Sequence, residues 1–336
     1  MFYTLLKTWK PSIFQGQNRS NHYFEGWYFK LVDATAKNVV AIIPGVALNK
    51  KANDSHSFIQ VLDNVSHSTH YHRFPLEHFH ASKTILDIHI GTNHFTSNLM
   101  DLKIDTDEGA VSGKVRMTGL HPWPVKLFRP GFMGWYAFVP FMQCYHGAVS
   151  FDHLLSGSLS IDGRTIDFSG GRGYIEKDWG NSFPRSWIWM QSNHFSTPGT
   201  SFMASVATIP WLGRYFTGFG AGLLYKGDFF PFTKWNGTRL ENLRIDPDGV
   251  AFSLIRSDRK VEVTAYGKDA GLLRSPVFGE MAGQVAESLK GEIHIDFSVL
   301  KNGSWERVFS GAGSNGGLEI MGDSEELIQG LQAVER

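Results

Sequence analysis

The residues best suited to chemistry lie in the segment Gly173–Gly180, which reads Gly-Tyr-Ile-Glu-Lys-Asp-Trp-Gly. If this segment is a β-strand, its side chains alternate between two faces, so Tyr174, Glu176 and Asp178 share one face. A carboxyl group in apolar surroundings favours its neutral form, which raises its pKa and makes it a usable acid near neutral pH. The phenol and the two carboxylates therefore predict a site of acid–base chemistry, with Glu176 as the proton donor.

The same carboxylates are also open to a structural interpretation. Either of them can form an ion pair with a nearby cation and close the end of a barrel. The candidate cations are Arg172, Lys177 and Arg185. Asp178 can in addition cap the turn that follows it.

A second strand is expected after a turn at residues 180–184, forming a hairpin with the first. Its alternation gives it one face that is aromatic and polar. That face consists of Trp187, Trp189, Gln191 and Asn193. A desolvated indole face stabilises a cation by about 2 kcal/mol. We therefore expect these side chains, with Trp179, to line a substrate pocket beside Glu176.

Two further segments interleave aromatic and ionisable residues. In Tyr23–Lys30, Glu25 and Trp27 share a face, and with Tyr28 they are interpreted as pocket-lining or structural.

The other segment, Met133–Gly147, ends in a dense aromatic run followed by His146. Alternation places His146 with Ala148, Ser150 and Asp152. His146 is interpreted either as a proton donor or acceptor or as a hydrogen-bonded core histidine.

The elements that must hold these residues follow a period of two. Strand–turn–strand patterns with tight-turn dipeptides occur at Asp162-Gly163 and Asn302-Gly303. The best helix signal is Asp323–Glu335, and Val277–Leu289 is a weaker one. The sequence therefore predicts an all-β protein, a pair of antiparallel β-barrels or sandwiches with a short C-terminal helix. The expected domains are 1–168 and 169–336.

Composition narrows the class of protein. Aromatic residues make up 14% of the 336 residues, while Lys+Arg and Asp+Glu balance at 32 each. The balanced charge argues against a nucleic-acid partner. With one cysteine, Cys144, an internal disulfide framework is excluded. The sequence shows no signal peptide and no apolar run long enough to span a membrane, which predicts a cytoplasmic protein that can touch a membrane peripherally.

No phosphate-binding, dinucleotide-binding or HExxH zinc motif is found, so no cofactor and no metal are predicted. The one metal alternative is a group of histidines within 25 residues. Its members are His56, His67, His70, His72, His78 and His80. Pairs such as His70 and His72 can bind zinc or iron from one side of a strand, but solvated or hydrogen-bonded histidines are the favoured interpretation.

The three aromatic segments resemble those of the tocopherol cyclase family over about residues 15–320. The matching elements are Phe24–Lys30, Met133–Met142 and Gly173–Gly180, with Trp187–Asn193 as a continuation. More distantly, Tyr174 and Glu176 with an upstream histidine resemble the Tyr-x-Asp and histidine of carotenoid hydratases. That resemblance implies two consecutive lipocalin-like β-barrels.

The resemblance implies cyclisation of a prenylated quinol or related isoprenoid lipid, a hydrophobic small molecule. An alkene would be protonated by Glu176, assisted by Tyr174 or His146, and the tertiary cation would be captured by a phenol oxygen, with Asp178 as a further catalytic candidate. Hydration of an isoprenoid double bond shares the first step. Two alternatives stay open: a non-catalytic lipocalin-like carrier of hydrophobic ligands, and a protein that binds or cleaves carbohydrate.

Overall fold

The computed structural model describes residues 7–66, 68–140, 142–211, 213–267 and 269–332. The first strands are β1 (Tyr23–Val32), β2 (Val39–Leu48), β3 (His56–Asp63), β4 (Thr69–Pro75), β5 (Phe79–Ala81), β6 (Asp87–Ile90), β7 (Asn93–Thr96), β8 (Leu99–Thr106), β9 (Gly109–Thr118), β10 (Cys144–Ile161), β11 (Arg164–Asp167) and β12 (Arg172–Gly180). The remaining elements are β13 (Trp187–Ser192), β14 (His194–Phe195), β15 (Ser201–Trp211), β16 (Arg214–Tyr225), β17 (Asp228–Thr233), β18 (Arg239–Asp246), β19 (Gly249–Ile255), β20 (Arg259–Tyr266), β21 (Gly271–Val277), β22 (Glu280–Lys301), β23 (Ser304–Met321) and the helix α1 (Ser324–Gln332). The all-β prediction is confirmed.

Tight turns form where the dipeptides predict them. Asp162 and Gly163 have φ angles of 49° and 82°, and Asn302 and Gly303 have φ angles of 50° and 81°. Positive φ at both central residues is the type I′ geometry, whose twist matches that of the flanking strands. These turns join β10 to β11 and β22 to β23, which confirms both hairpins.

The C-terminal helix is confirmed in its described part. Asp323 caps α1, because its Oδ1 accepts hydrogen bonds from the backbone N–H of Glu325 at 2.8 Å and of Glu326 at 3.4 Å. Residues 333–335 of the predicted helix lie outside the described residues. No helix in the described part of the chain is long and apolar enough to cross a bilayer.

The weaker helix prediction, Val277–Leu289, is wrong. The structure places a strand end, a turn and the start of β22 there. Gly279 occupies the turn with a φ of +83°, which ends any helical run. Beyond it, side-chain burial along β22 follows the two-residue period of a strand over much of its length.

The chain divides into two compact units. One contains residues 1–183 and 271–285, and the other contains residues 184–270 and 286–336. The strand β12 thus belongs to the first unit, whereas the boundary drawn from sequence assigned it to the second half. The division into folding domains 1–168 and 169–336 stays a prediction.

In the first unit, β12 lies inside an antiparallel sheet between β1 and β10. The strand order is β4-β3-β2-β1-β12-β10-β9-β8-β7-β6-β5, with β11 paired to β10. One face of the sheet packs on a core that includes Trp27, Phe29, Ile42, Ile59 and Ile175. The residues of β12 that alternate with Ile175 point to the other face.

In the second unit, β13 pairs with β15 and β23 in a sheet ordered β17-β16-β15-β13-β23-β22-β20-β19-β18. Its core includes Ile188, Met190, Phe202 and Val206. The alternation predicted for this strand is confirmed, because Ile188 and Met190 face the core.

Closed barrels are not what the described residues form. In each sheet the two edge strands are consecutive in the chain, β4 and β5 in one and β17 and β18 in the other. A short 3-10 turn separates each pair, at Leu76–His78 and at Lys234–Asn236. The ladder breaks at these turns, so each sheet stays open along one seam.

Candidate active site

The site predicted from sequence assembles on one face of β12. Tyr174 and Glu176 are buried, and Asp178 is half-buried. His146, on β10, is the register partner of Asp178, so the two side chains lie on the same face. The structure therefore brings together all four residues predicted to be catalytic.

The four side chains form a continuous polar chain. The Tyr174 hydroxyl donates to Glu176 Oε2 at 2.6 Å. His146 Nε2 lies 3.4 Å from the same oxygen, and His146 Nδ1 lies 2.9 Å from Asp178 Oδ1. One imidazole thus bridges two carboxylates, and one of those carboxylates also holds a phenol.

The electrostatics of the cluster keep a proton on the imidazole. Burial lowers the pKa of His146, but the charges of Glu176 and Asp178 outweigh burial and raise this pKa to about 9. His146 is therefore an imidazolium at neutral pH. Burial, and then Glu176, raise the pKa of Tyr174 well above its usual value, so the phenol keeps its proton.

One nitrogen of the imidazole makes an ion-pair contact but no hydrogen bond with the described residues. His146 Nε2 is buried and makes no hydrogen bond in the described part of the structure, and its ion-pair contact with Glu176 Oε2 is 3.4 Å long. Unsatisfied buried polar atoms are rare and call for an explanation. This nitrogen and Glu176 Oε2 lie in the middle of the polar chain, between the Tyr174 hydroxyl and Asp178.

Aromatic side chains also pack beside the four polar side chains, and the sequence analysis did not identify them. The ring of Phe132 lies edge-on to His146, with centroids 4.7 Å apart, and Phe151 lies edge-on to Tyr174 at 6.0 Å. Trp123 contacts both of these phenylalanines. The only sequence signal for them was the density of aromatic residues around His146.

The alternation predicted along β10 breaks within this site. Ala148 pairs with Glu176, but Ser150 pairs with Ile175, and the register shifts again before His153. A bulge adds an unpaired residue and so moves the following side chains to the other face. The prediction that Ser150 shares a face with His146 is therefore wrong.

A second polar group flanks the bulge and was also missed. Arg172 Nε donates to Asp152 Oδ1 at 2.8 Å, and His153 Nδ1 lies 3.1 Å from the Ser150 hydroxyl. Burial, followed by the charge of His121, lowers the pKa of His153 to about 3, which keeps this histidine neutral. Arg172 neutralises Asp152, so the group adds no net charge beside the site.

Tyr28 is the register partner of Glu176 on β1 and shares its face. The other neighbours of the carboxylates are small: Gly26 lies opposite Asp178, and Ala148 lies opposite Glu176. Each carboxylate thus has one small and one large neighbour in the sheet, which are Gly26 and His146 for Asp178 and Ala148 and Tyr28 for Glu176.

Three residues predicted to bind substrate face away from the site. On β1, Glu25 pairs with Trp179 of β12, and Trp27 pairs with Lys177. These side chains therefore lie on the face of the sheet that carries Lys177, which is opposite the face that carries Glu176. Glu25 Oε1 forms an ion pair with Lys177 Nζ at 2.5 Å, and both side chains are fully buried. The structural alternative for Glu25 is therefore the one that the structure favours.

Two tryptophans on that face contact the ammonium of this ion pair. The Lys177 ammonium lies 4.9 Å from the ring centroid of Trp27 and 4.6 Å from that of Trp179. The ring of Trp179 stacks on Tyr145 with centroids 5.4 Å apart. The placement of Trp179 beside Glu176 is thus corrected, because neighbouring residues of a strand point to opposite faces.

The residues predicted on the following strand lie in the second unit. The expected hairpin between β12 and β13 does not form, since these strands belong to different sheets. The Trp187 indole donates to Glu319 Oε2 at 2.6 Å, and Trp189 pairs in register with Glu319. Gln191 and Asn193 are buried. A role for these four residues in substrate binding stays a prediction.

Two groups in the described residues have the donor atoms for a metal ion. His146, Glu176 and Asp178 form one, with donor atoms within 4.8 Å of one another. The other is Asp87, His89 and His94 on β6 and β7, of which only His89 is exposed, and its two imidazoles stack at 4.0 Å.

The histidines singled out between residues 56 and 80 do not converge in their described part. His56 lies 2.7 Å from the Tyr71 hydroxyl, and His72 lies 2.7 Å from the Thr106 hydroxyl. His70 contacts the Glu108 carbonyl. These separate hydrogen bonds match the interpretation of hydrogen-bonded side chains. His67 lies outside the described residues.

Comparison with known structures supports the fold. CghA is similar with a TM-score of 0.54 and 10% identity, covering 90% of this chain and 88% of that one. Kievitone hydratase from Nectria haematococca has a TM-score of 0.51 and 14% identity, covering 92% and 93%. At these identities the likeness concerns the fold alone.

Comparison with curated sequences gives closer relatives. The tocopherol cyclase of Zea mays, a chloroplastic protein, is 34% identical over 113 residues, which is 31% of this chain and 23% of that protein. A probable chloroplastic tocopherol cyclase of Oryza sativa subsp. japonica is 27% identical over 198 residues, 56% of this chain and 42% of that protein. The chain thus aligns with less than half the length of either relative.

The family assignment depends on a longer match. A family model described as tocopherol cyclase-like matches residues 114–322, which contain His146, Tyr174, Glu176 and Asp178. The match spans more than half of the chain, and the protein therefore belongs to the tocopherol cyclase-like family.

Proposed function

We propose that the protein is an acid-catalysed cyclase of a prenylated quinol or a related isoprenoid lipid, and that Glu176 delivers the proton. The observation that carries the proposal is the polar chain from Tyr174 through Glu176 and His146 to Asp178, in which one imidazole nitrogen lies 3.4 Å from the carboxylate oxygen that accepts the Tyr174 hydroxyl. General acid catalysis by a positioned group contributes roughly 10²–10⁴-fold to a rate.

The proposed reaction is an isomerisation that needs no oxidant or reductant. The π electrons of a trisubstituted alkene take the proton from Glu176, which leaves a tertiary carbocation. A lone pair of the phenol oxygen then bonds to the cationic carbon, and the phenol proton returns to a carboxylate. The proton held on His146 passes to Glu176 across the 3.4 Å contact, while Asp178 orients the imidazole.

The aromatic rings beside the chain suit a cationic intermediate. Phe132 lies beside His146 and Phe151 lies beside Tyr174, and aromatic faces attract a desolvated cation. Rings that pack around His146 also exclude water, which would otherwise capture the cation. A hydratase would admit one water molecule at this step instead.

Hydration is the second candidate function. The fold is shared with kievitone hydratase, and protonation of an alkene is the first step of both reactions. The two functions differ in the nucleophile, which is a phenol of the substrate in one case and water in the other.

The decisive experiment is incubation of the enzyme with a prenylhydroquinone in ¹⁸O-labelled water. A cyclase gives a chromanol without the label, and a hydratase gives a tertiary alcohol that carries it. Glu176→Gln is expected to lower the rate by about 10³-fold, within the range for a lost general acid. Glu280→Gln is the matched control, since Glu280 accepts a hydrogen bond from Asn49 outside the cluster and its loss leaves the rate unchanged.

Tyr174→Phe serves as a second variant should Glu176→Gln fail to fold. It removes only the hydroxyl that donates to Glu176 and is expected to slow turnover at least tenfold. If no prenylated substrate gives product, and if the protein and Glu176→Gln both bind the substrate stoichiometrically, the protein is a carrier and the proposal of an enzyme is wrong.

A further inference from the structure

The loop between β9 and β10 exposes large apolar side chains. Phe128 is 80% exposed and Leu127 is 68% exposed, and Trp135 and Phe138 are also exposed. Single exposed apolar residues are normal on soluble proteins, but several of them close together on one loop mark an interaction surface.

The backbone of this loop presents the two most exposed residues at a tip. The Lys126 N–H donates to the Arg129 carbonyl at 3.0 Å, and the Arg129 N–H donates to the Lys126 carbonyl at 3.0 Å. This pair closes a two-residue turn with Leu127 and Phe128 at its end. The four residues Lys126–Arg129 are called the apolar tip below.

The tip is held in place by the rest of the unit. The Trp9 indole donates to the Leu127 carbonyl at 2.8 Å, and the Trp9 ring lies edge-on to Phe138. Trp123 and Phe132, from the same loop, are buried against each other. The loop thus buries two of its large aromatic residues and still leaves Leu127 and Phe128 in solvent.

The positive charge around the apolar tip indicates an anionic binding partner. Lys126 and Arg129 flank the two apolar residues and are exposed, and the sequence contains no acidic residue between Glu108 and Asp152. Apolar side chains flanked by cations match a bilayer that carries anionic headgroups, because the apolar groups enter the acyl boundary while the cations meet the phosphates.

We propose that the apolar tip docks the protein on the surface of an anionic lipid bilayer. The loop that carries the tip also places Phe132 against His146, at 4.7 Å. Docking would therefore bring the bilayer next to the loop that packs on the candidate active site. Delivery of the substrate from the bilayer to the site would depend on the proposed function, whereas the docking itself does not.

The test is flotation of the purified full chain with phosphatidylcholine vesicles that contain or lack phosphatidylglycerol, without any substrate. We expect binding to the anionic vesicles that weakens as salt is added, because salt screens the basic residues. Leu127→Ser/Phe128→Ser is expected to lower the partition coefficient at least tenfold on anionic vesicles.

Lys126→Gln/Arg129→Gln separates charge from apolar contact. Its turn is closed by backbone hydrogen bonds, so the tip keeps its shape. We expect roughly tenfold weaker binding to the anionic vesicles. Ile85→Ser is the matched control: Ile85 is exposed in another loop of the same unit, and its replacement leaves binding unchanged.

Three results would overturn the proposal. These are no flotation of the wild-type protein, flotation that both double variants retain, and a dimer in solution that Leu127→Ser/Phe128→Ser dissociates while vesicles stay unbound. Vesicle binding with no turnover of any prenylhydroquinone would instead reject the proposed function and leave the docking intact.

Discussion

At the scale of single residues, the protonation of His146 decides what the site can do. An imidazole alone in a buried site loses its proton, yet here two carboxylates within 3.4 Å hold it. The site therefore stores one exchangeable proton at neutral pH, next to a buried carboxylate. A phenol that keeps its own proton stabilises the same carboxylate.

This arrangement predicts how stability depends on pH. The pKa of His146 is about 9 in the folded chain against 6.5 in the unfolded one, so the folded state binds more protons between these values. The contribution of His146, about 3 kcal/mol, is complete below pH 6.5 and is lost as the pH rises to about 9. Urea unfolding of the wild type and of His146→Gln over this range measures it.

The pH dependence that Lys177 contributes to stability has the opposite sign and must be separated from that of His146. Burial lowers its pKa from 10.5 to about 8, although Glu25 opposes the shift, so its contribution increases as the pH rises through that window. The difference between the wild type and His146→Gln cancels the lysine. If this difference stays constant from pH 6 to pH 9, the imidazolium between the two carboxylates does not exist.

At the scale of elements, β12 separates two kinds of polar chemistry. One face carries Tyr174, Glu176 and Asp178, and the other carries Lys177, whose ammonium also donates to the carbonyls of Pro11 and Ile13. Among the described residues, the first face keeps one imidazole nitrogen without a hydrogen bond, whereas the ammonium of the second face contacts a carboxylate and two carbonyls. Saturated buried ion pairs fix a structure, and the segment before β1 is held to the sheet in this way.

A double-mutant cycle tests that division. Lys177→Met leaves the Glu25 carboxylate buried without its cation and is expected to lower the free energy of unfolding by about 3–5 kcal/mol. Glu25→Gln/Lys177→Met should cost less than the sum of the single changes, with a coupling of about 2 kcal/mol. Chemical denaturation of the four proteins supplies these values.

The exposed pair of Lys301 and Glu306, at 3.0 Å, is the matched control for the cycle. Water screens it, so the coupling there is expected below about 1 kcal/mol. Equal coupling in the two cycles would contradict the assignment of Glu25 and Lys177 as a structural pair.

At the scale of the whole molecule, the first unit is built from two distant stretches of chain. Residues 271–285 belong to it although the residues on both sides belong to the second unit. The side-chain amide of Gln60 on β3 forms two hydrogen bonds with the backbone of Arg274 on β21. Its nitrogen donates to the Arg274 carbonyl at 3.0 Å, and its oxygen accepts from the Arg274 N–H at 2.8 Å. Nearby, Met281 packs on Phe58 and Tyr71.

The pair predicts that one buried side chain stabilises a long-range connection. Gln60→Ala leaves two backbone groups of Arg274 unpaired and is expected to lower the free energy of unfolding by about 2 kcal/mol. Thr92→Ala, which removes an exposed hydrogen bond to the Lys103 carbonyl, should change it by no more than about 0.5 kcal/mol. Urea denaturation compares the two, and equal effects would mean that residues 271–285 contribute little to the first unit.

Local patterns in the sequence determine much of this protein. The two-residue period predicts the strands, Asp162-Gly163 and Asn302-Gly303 predict their turns, and Asp323 predicts the helix start, because each depends on neighbours in the chain. Alternation along one strand likewise predicts that the acids of β12 share a face. These features need no knowledge of what packs against them.

Only the tertiary structure decides which strands become neighbours. It pairs β10 with β12, which brings His146 to Glu176 from 30 residues away, and it places β13 in another sheet, away from the expected hairpin. It also inserts the bulge after Ala148 and turns Trp179 to the face of Lys177. Sheet pairing and bulges depend on hydrogen bonds between distant segments, and no local pattern along a single strand encodes them.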